Sequence, residues 1–95
     1  MAKAYSSEFQ IQNRLGLHAR PASLFVQTAA KFDSDITVRR LDSPSLDPVN
    51  GKSLMNMLIL SAACGTRIEI AARGADAEDA VKTLGELVDR RFDEE

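Results

Sequence analysis

With 95 residues, 12 Lys and Arg against 14 Asp and Glu, 44% hydrophobic residues and no Trp, the sequence reads as one small domain spanning residues 1–95. A compact chain of this length has a radius of gyration of roughly 12 Å and buries only about two-thirds of its unfolded surface, which excludes a large cofactor held beside a separate substrate domain. Ordinary charged and apolar fractions exclude a disordered chain, and a single cysteine excludes an internal disulfide. Cys64, in the small apolar run Ser61-Ala62-Ala63-Cys64, reads as a buried or half-buried small hydrophobe in a reducing compartment. No stretch approaches the ~20 apolar residues that span a bilayer. The opening residues lack the apolar segment of a secretory signal, so the expectation is a cytoplasmic chain without membrane insertion. The net charge of −2 offers no general attraction to nucleic acid, but it is unevenly spread: residues 76–95 carry −5, which leaves +3 on residues 1–75. That body either meets an acidic protein partner or is simply solvated.

In chain order, Phe9 and Ile11 alternate with Glu8, Gln10 and Gln12, which predicts a first strand over about residues 7–13. After Gly16, apolar Ala22, Phe25, Val26, Ala29 and Ala30 recur at helical spacing to about Phe32, with Pro21 tolerated in the first turn because an N–H there would have no intrahelical acceptor. Ile36 and Val38 alternate with Thr37 and Arg39 as a second strand. Two prolines, Pro44 and Pro48, then predict a loop leading to a short third strand near Val49. Ser53 heads Leu54-Met55-Asn56-Met57-Leu58-Ile59-Leu60, a short helix closed by Cys64-Gly65. Ile68 and Ile70 mark the last strand, ended by Gly74. Asp76 offers the N-cap of a final helix, with Glu78 and Asp79 in its first turn, Ala80, Val81, Leu84, Leu87 and Val88 on one face, and Arg90 and Arg91 in its last turn. The order β-α-β-β-α-β-α, with half-polar strands and one-faced helices, predicts an α+β fold with a mostly antiparallel sheet covered by helices on one side.

The only histidine, His18, lies where the first strand has ended and the first helix begins. Neutral imidazole is a competent nucleophile near neutral pH, and the first-turn amides of Ala19 and Arg20, aided by the helix dipole, suit an anion delivered to the ring. The forked guanidinium of Arg20 matches phosphate oxygens, and Gly16 allows a sharp backbone turn that keeps the ring accessible. These features describe a site that receives a phosphoryl group on histidine. Taken residue by residue, a capping or surface histidine and a solvated arginine remain the alternatives. With no second histidine and no ligand cluster around Cys64, a metal site is not expected, and no cofactor is implied.

The string Gly16-Leu17-His18-Ala19-Arg20-Pro21-Ala22 closely resembles the active-site motif of the HPr family, the histidine-containing phosphocarriers of the bacterial phosphoenolpyruvate-dependent phosphotransferase system. Lys52-Ser53-Leu54-Met55, Gly65-Thr66 and Gly74-Ala75-Asp76-Ala77-Glu78-Asp79-Ala80 follow in the order of that family's regulatory serine, last strand and final helix, so the resemblance covers nearly the whole chain. It implies an open-faced β-sandwich, a four-stranded antiparallel sheet covered on one face by three helices. It further implies that His18, assisted by Arg20, accepts a phosphoryl group from enzyme I and passes it to a IIA domain. In the family the bonded atom is Nδ1. The chain would then be a monomeric carrier with a transient phosphohistidine rather than a turnover enzyme. A regulatory phosphotransfer branch without sugar transport is the alternative in the same chemistry.

Ser53 has two readings. As a helix cap it contributes about 1 kcal/mol and needs no regulation. By resemblance it is the target of an HPr kinase/phosphorylase, and its phosphorylated form could serve a transcription factor as an interaction module. Leu54, Met55 and Leu58 could be core, but one short helix cannot bury every side chain, and the resemblance makes them an apolar docking patch where flexible methionine suits several partners. The chain departs from the family pattern in its long loop from Arg39 to Asn50, in Asn56 after the methionine, and in Leu15 before the glycine.

Overall fold

Alternation along the strands decides which face of the sheet is covered. In the computed structural model, which describes residues 3–43 and 47–94, the elements are β1 (Ala4–Gln10), α1 (Ala19–Ala29), β2 (Asp35–Arg40), β3 (Val49–Asn50), α2 (Leu54–Leu60), β4 (Arg67–Arg73) and α3 (Ala77–Asp89), followed by a single turn at Arg91–Asp93. Ile36 and Val38 of β2 and Ile68, Ile70 and Ala72 of β4 are buried, while Thr37 between the first pair is exposed. The strands lie in the order β1-β4-β2-β3 and every pair is antiparallel. Phe25 of α1, Met57 of α2 and Leu84 of α3 close the covered face. The open-faced β-sandwich is therefore as expected, and the radius of gyration is 11.9 Å.

The open face is held by charge. Glu8 and Glu69 stand directly opposite each other across β1 and β4, an unfavourable pairing unless cations intervene. Arg39 meets Glu69 at 2.8 Å and Arg67 meets Glu8 at 3.2 Å. Each guanidinium neutralises one member of the opposed pair.

Several local expectations are corrected. The first strand runs over Ala4–Gln10 rather than 7–13. Its start comes early because Ile70 to Arg73 of β4 offer backbone partners to Ala4 through Ser7, so pairing overrides an unpatterned sequence. Its regular pairing stops at Gln10 because the chain turns at Asn13, whose carbonyl accepts from the Gly16 amide. Asp76 stands before α3, but its side chain does not cap that helix. Its carboxylate instead accepts from the amides of Asp33 and Ser34 at 2.9 and 3.0 Å and from the Ser34 hydroxyl. Those bonds, the hydroxyl's foremost, hold the Asp76 carboxyl below its ordinary range and tie α3 to the start of β2. Arg90 and Arg91 lie beyond α3, which ends at Asp89. The second helix ends at Leu60 with Ser61 left-handed at φ 53°, ahead of the expected Cys64-Gly65 closure. Cys64 is exposed, because it sits on the loop between α2 and β4, where its Sγ reaches the Gln12 carbonyl at 3.6 Å. Of the predicted proline loop, residues 44–46 lie outside the described residues. Its start is fixed by Arg40, which holds Asp42 at 2.9 and 3.0 Å and donates to the Leu60 carbonyl at 3.3 Å.

Candidate active site

Two loops and a helix start frame His18. Beyond β1, the Ile11 amide donates to Thr66 and the Ile11 carbonyl accepts from Gly65, so the chain leaves the sheet only after Ile11. Gly16 then adopts φ +67°, and a Cβ there would lie 2.6 Å from the Ala62 carbonyl oxygen. Both the turn and the close approach therefore require glycine. The neighbouring Leu17 amide donates to that same carbonyl at 2.9 Å, which pins the residue before His18 to the segment after α2. His18 is extended, and its side chain makes no capping bond to α1. Its carbonyl takes the first helical hydrogen bond, from Ala22 at 3.0 Å. The imidazole is thus left for other work.

That imidazole meets a residue far away in sequence. Nε2 of His18 lies 3.0 Å from Oε1 of Glu94, and the same oxygen accepts from Asn13 Nδ2 at 2.9 Å. Asn13 is fully buried and also donates to the Gly16 carbonyl at 2.6 Å. Both of its partners are acceptors, which fixes the amide with nitrogen toward the site. Asn13 Oδ1 has no hydrogen-bond partner among the described residues. The Asn13 amide first, then the imidazole, hold the Glu94 carboxyl below its ordinary range, with a smaller contribution from the charge of Arg20. Arg14, Leu15, His18, Arg20 and Glu94 line a depression of about 330 Å³. Arg20 is exposed, and the amides of Ala19 and Arg20, in the first turn of α1, have no intrahelical acceptor.

The structure thus brings His18, Ala19 and Arg20 together at one helix start and adds Asn13 and Glu94, which the sequence reading passed over. Asn13 reads locally as the end of a strand, and nothing in the local pattern of Glu94 couples it to a residue 76 positions earlier. Among the described residues no group of three or more His, Cys, Asp or Glu side chains is placed to hold a metal ion. No helix of the described chain is long and apolar enough to cross a membrane.

Ser53 and the apolar patch belong to a second feature, α2. The Ser53 hydroxyl accepts from the Asn56 amide at 3.2 Å, the bond of an N-cap. Ser53→Ala is expected to cost about 1 kcal/mol, and Ser53→Asp, which keeps a capping oxygen, to recover it. Urea denaturation of the three proteins checks both values. Leu54, Met55 and Leu58 are exposed at 43%, 71% and 39%, and Ile59, which the sequence reading did not include, at 68%. Met57 and Leu60 turn inward and are buried.

Comparison with known proteins places this arrangement. Residues 5–90 match the family described as PTS HPr component phosphorylation site. The chain belongs to the HPr family. It is 45% identical over 85 residues to the phosphocarrier protein HPr of Neisseria meningitidis serogroup A, covering 90% of this chain and 91% of that one. It is 46% identical over 83 residues to the multiphosphoryl transfer protein of Escherichia coli O157:H7, where the match spans 87% of this chain but only 22% of the relative's length. The crystal structure of HPr from Thermoanaerobacter tengcongensis superposes with a TM-score of 0.87 at 42% identity, covering 96% of this chain and 98% of that one. As a member of the family the chain is a phosphocarrier of the phosphotransferase system.

Proposed function

We propose that this chain accepts a phosphoryl group on His18 from enzyme I, with phosphoenolpyruvate as the ultimate donor, and passes it to a IIA domain in sugar uptake. The observation that carries this reading is the position of the His18 ring: it lines an open depression immediately before the first turn of α1, beside Arg20 and not engaged as a cap. In the step, a ring-nitrogen lone pair forms the new P–N bond. The bond from phosphorus to the donor atom that held it breaks, and its electron pair stays with the donor. The amides of Ala19 and Arg20 and the Arg20 guanidinium take the phosphoryl oxygens, a helix-start arrangement suited to an anion. The phosphohistidine is transient, since the next IIA domain removes the group.

Exposed Leu54, Met55, Leu58 and Ile59 form the surface on which donor and acceptor proteins dock. Phosphorylation of Ser53, at the head of the same helix, would set a dianion beside that apolar surface and weaken docking. An HPr kinase/phosphorylase is the enzyme class for that modification, and a transcription factor a further reader of it.

Incubation with enzyme I, magnesium and phosphoenolpyruvate is expected to add one phosphoryl group that is released by acid. Arg20→Lys keeps the charge but loses the planar fork, so it should slow acceptance roughly tenfold without lowering the melting temperature. Mass spectrometry over a time course measures both. A parent protein that gains no acid-labile phosphate would sink the reading, and an unchanged rate in the lysine variant would reduce Arg20 to a surface charge.

A further inference from the structure

We propose that Glu94 is a positioning residue for phosphoryl acceptance: by taking the Nε2–H of His18 it orients the ring and reserves the lone pair of Nδ1 for attack. The inference rests on the phosphocarrier reading and concerns how this chain prepares its histidine.

The argument is one of donors and acceptors. An ionised carboxylate can only accept, so the 3.0 Å contact between Nε2 and Oε1 requires the proton on Nε2. In the neutral ring the other nitrogen then carries the lone pair. Glu94 is not free to serve otherwise, because the same oxygen is held by the buried Asn13 amide, itself anchored on the Gly16 carbonyl. The carboxylate is kept ionised by these same donors, so the acceptor persists across the neutral pH range. The chain reaches this geometry through an uncommon backbone: Arg91, Phe92 and Asp93 all have positive φ, at 59°, 54° and 58°, and Phe92 is fully buried between two exposed residues. The turn reverses the chain after α3 and delivers Glu94 to the start of α1.

The contact also fits the charge balance of the step. When Nδ1 bonds to phosphorus the ring keeps its Nε2 proton and gains positive charge, and Glu94 faces that side of the ring directly. The incoming phosphoryl group lies on the other nitrogen, beside Arg20, so its repulsion with Glu94 acts across the ring and is offset by the guanidinium. A hydrogen bond donated by the ring to a second residue, which selects the histidine tautomer and supports the charged ring, is an established means of positioning an imidazole for catalysis.

The test combines a rate with a spectroscopic signature. Glu94→Ala is expected to slow phosphoryl acceptance from enzyme I about tenfold, and Glu94→Gln, which keeps an acceptor oxygen without its charge, to slow it less. In 15N-labelled parent protein near pH 8, the imidazole should show its proton on Nε2, in slow exchange with water. Glu94→Ala should bring that proton into fast exchange while the backbone spectrum away from residues 13–20 and 91–95 stays unchanged. An alanine variant that accepts phosphate as fast as the parent or faster, or a parent ring protonated on Nδ1, would overturn the proposal. A parent that accepts no phosphoryl group would instead count against the phosphocarrier reading, and the exchange measurement would then decide the Glu94 contact by itself.

Discussion

Phe92→Ala is expected to lower the stability of the fold by about 3 kcal/mol, a fall in melting temperature of roughly 12–24 °C for a chain of this size. The three consecutive left-handed residues of the turn at Arg91–Asp93 are strained, and the fully buried Phe92 ring anchors them to the core. The hydrogen bonds of Glu94 to Asn13 and His18 add to that anchor. Without the aromatic anchor the terminal segment should peel away. Because peeling releases the backbone strain, the expected loss sits at the low end of the range for core phenylalanines. The loss has a pH signature. Glu94 has a folded-state value below its ordinary 4.5, so the stability it contributes is complete above about pH 4.5 and disappears as pH falls through the depressed value. The gap between parent and Phe92→Ala should accordingly narrow in acid. Thermal melts of both proteins at neutral and acidic pH measure it; a variant that melts within a few degrees of the parent would mean that Phe92 does not anchor the turn.

This terminal turn was also the least legible part of the chain. Alternation at Ile36 and Val38 and at Ile68 and Ile70, and the apolar stripe from Ala80 to Val88, place the strands and the last helix because their side chains divide between core and solvent. The stretch Arg90-Arg91-Phe92-Asp93-Glu94 carries one apolar residue among charges and reads as a solvated tail. Left-handed backbone at residues without glycine has no local sequence signal; here it is imposed by the pull of Phe92 into the core. Asp76 shows a related limit. A carboxylate before a helix suggests an N-cap, yet the free amides of Asp33 and Ser34 compete for it and win.

The candidate site divides along the same line. His18 and Arg20 are legible because they are two residues apart at a helix start, where spacing alone juxtaposes them. Asn13 and Glu94 are not, because the first is drawn in by burial and the second by a contact that spans nearly the whole chain. On α2 the exposed row was legible in part: Leu54, Met55 and Leu58 were expected at the surface, and Ile59 joins them because a seven-residue helix turns only Met57 and Leu60 inward.

His18→Ala is expected to abolish phosphoryl acceptance altogether, since the bond formed in the step is made by the imidazole and no other residue of the depression offers an uncharged nitrogen nucleophile at neutral pH. The fold should survive, because the ring is half-exposed and makes no capping bond to α1. The most direct measurement is 31P and 15N NMR of the labelled protein during incubation with enzyme I, magnesium and phosphoenolpyruvate, run on the parent and on His18→Ala side by side. The account predicts one phosphorus resonance, coupled to Nδ1 of His18 in the parent and missing from a folded alanine variant. A phosphorus signal on any other residue of the parent, or one that persists in His18→Ala, would contradict it.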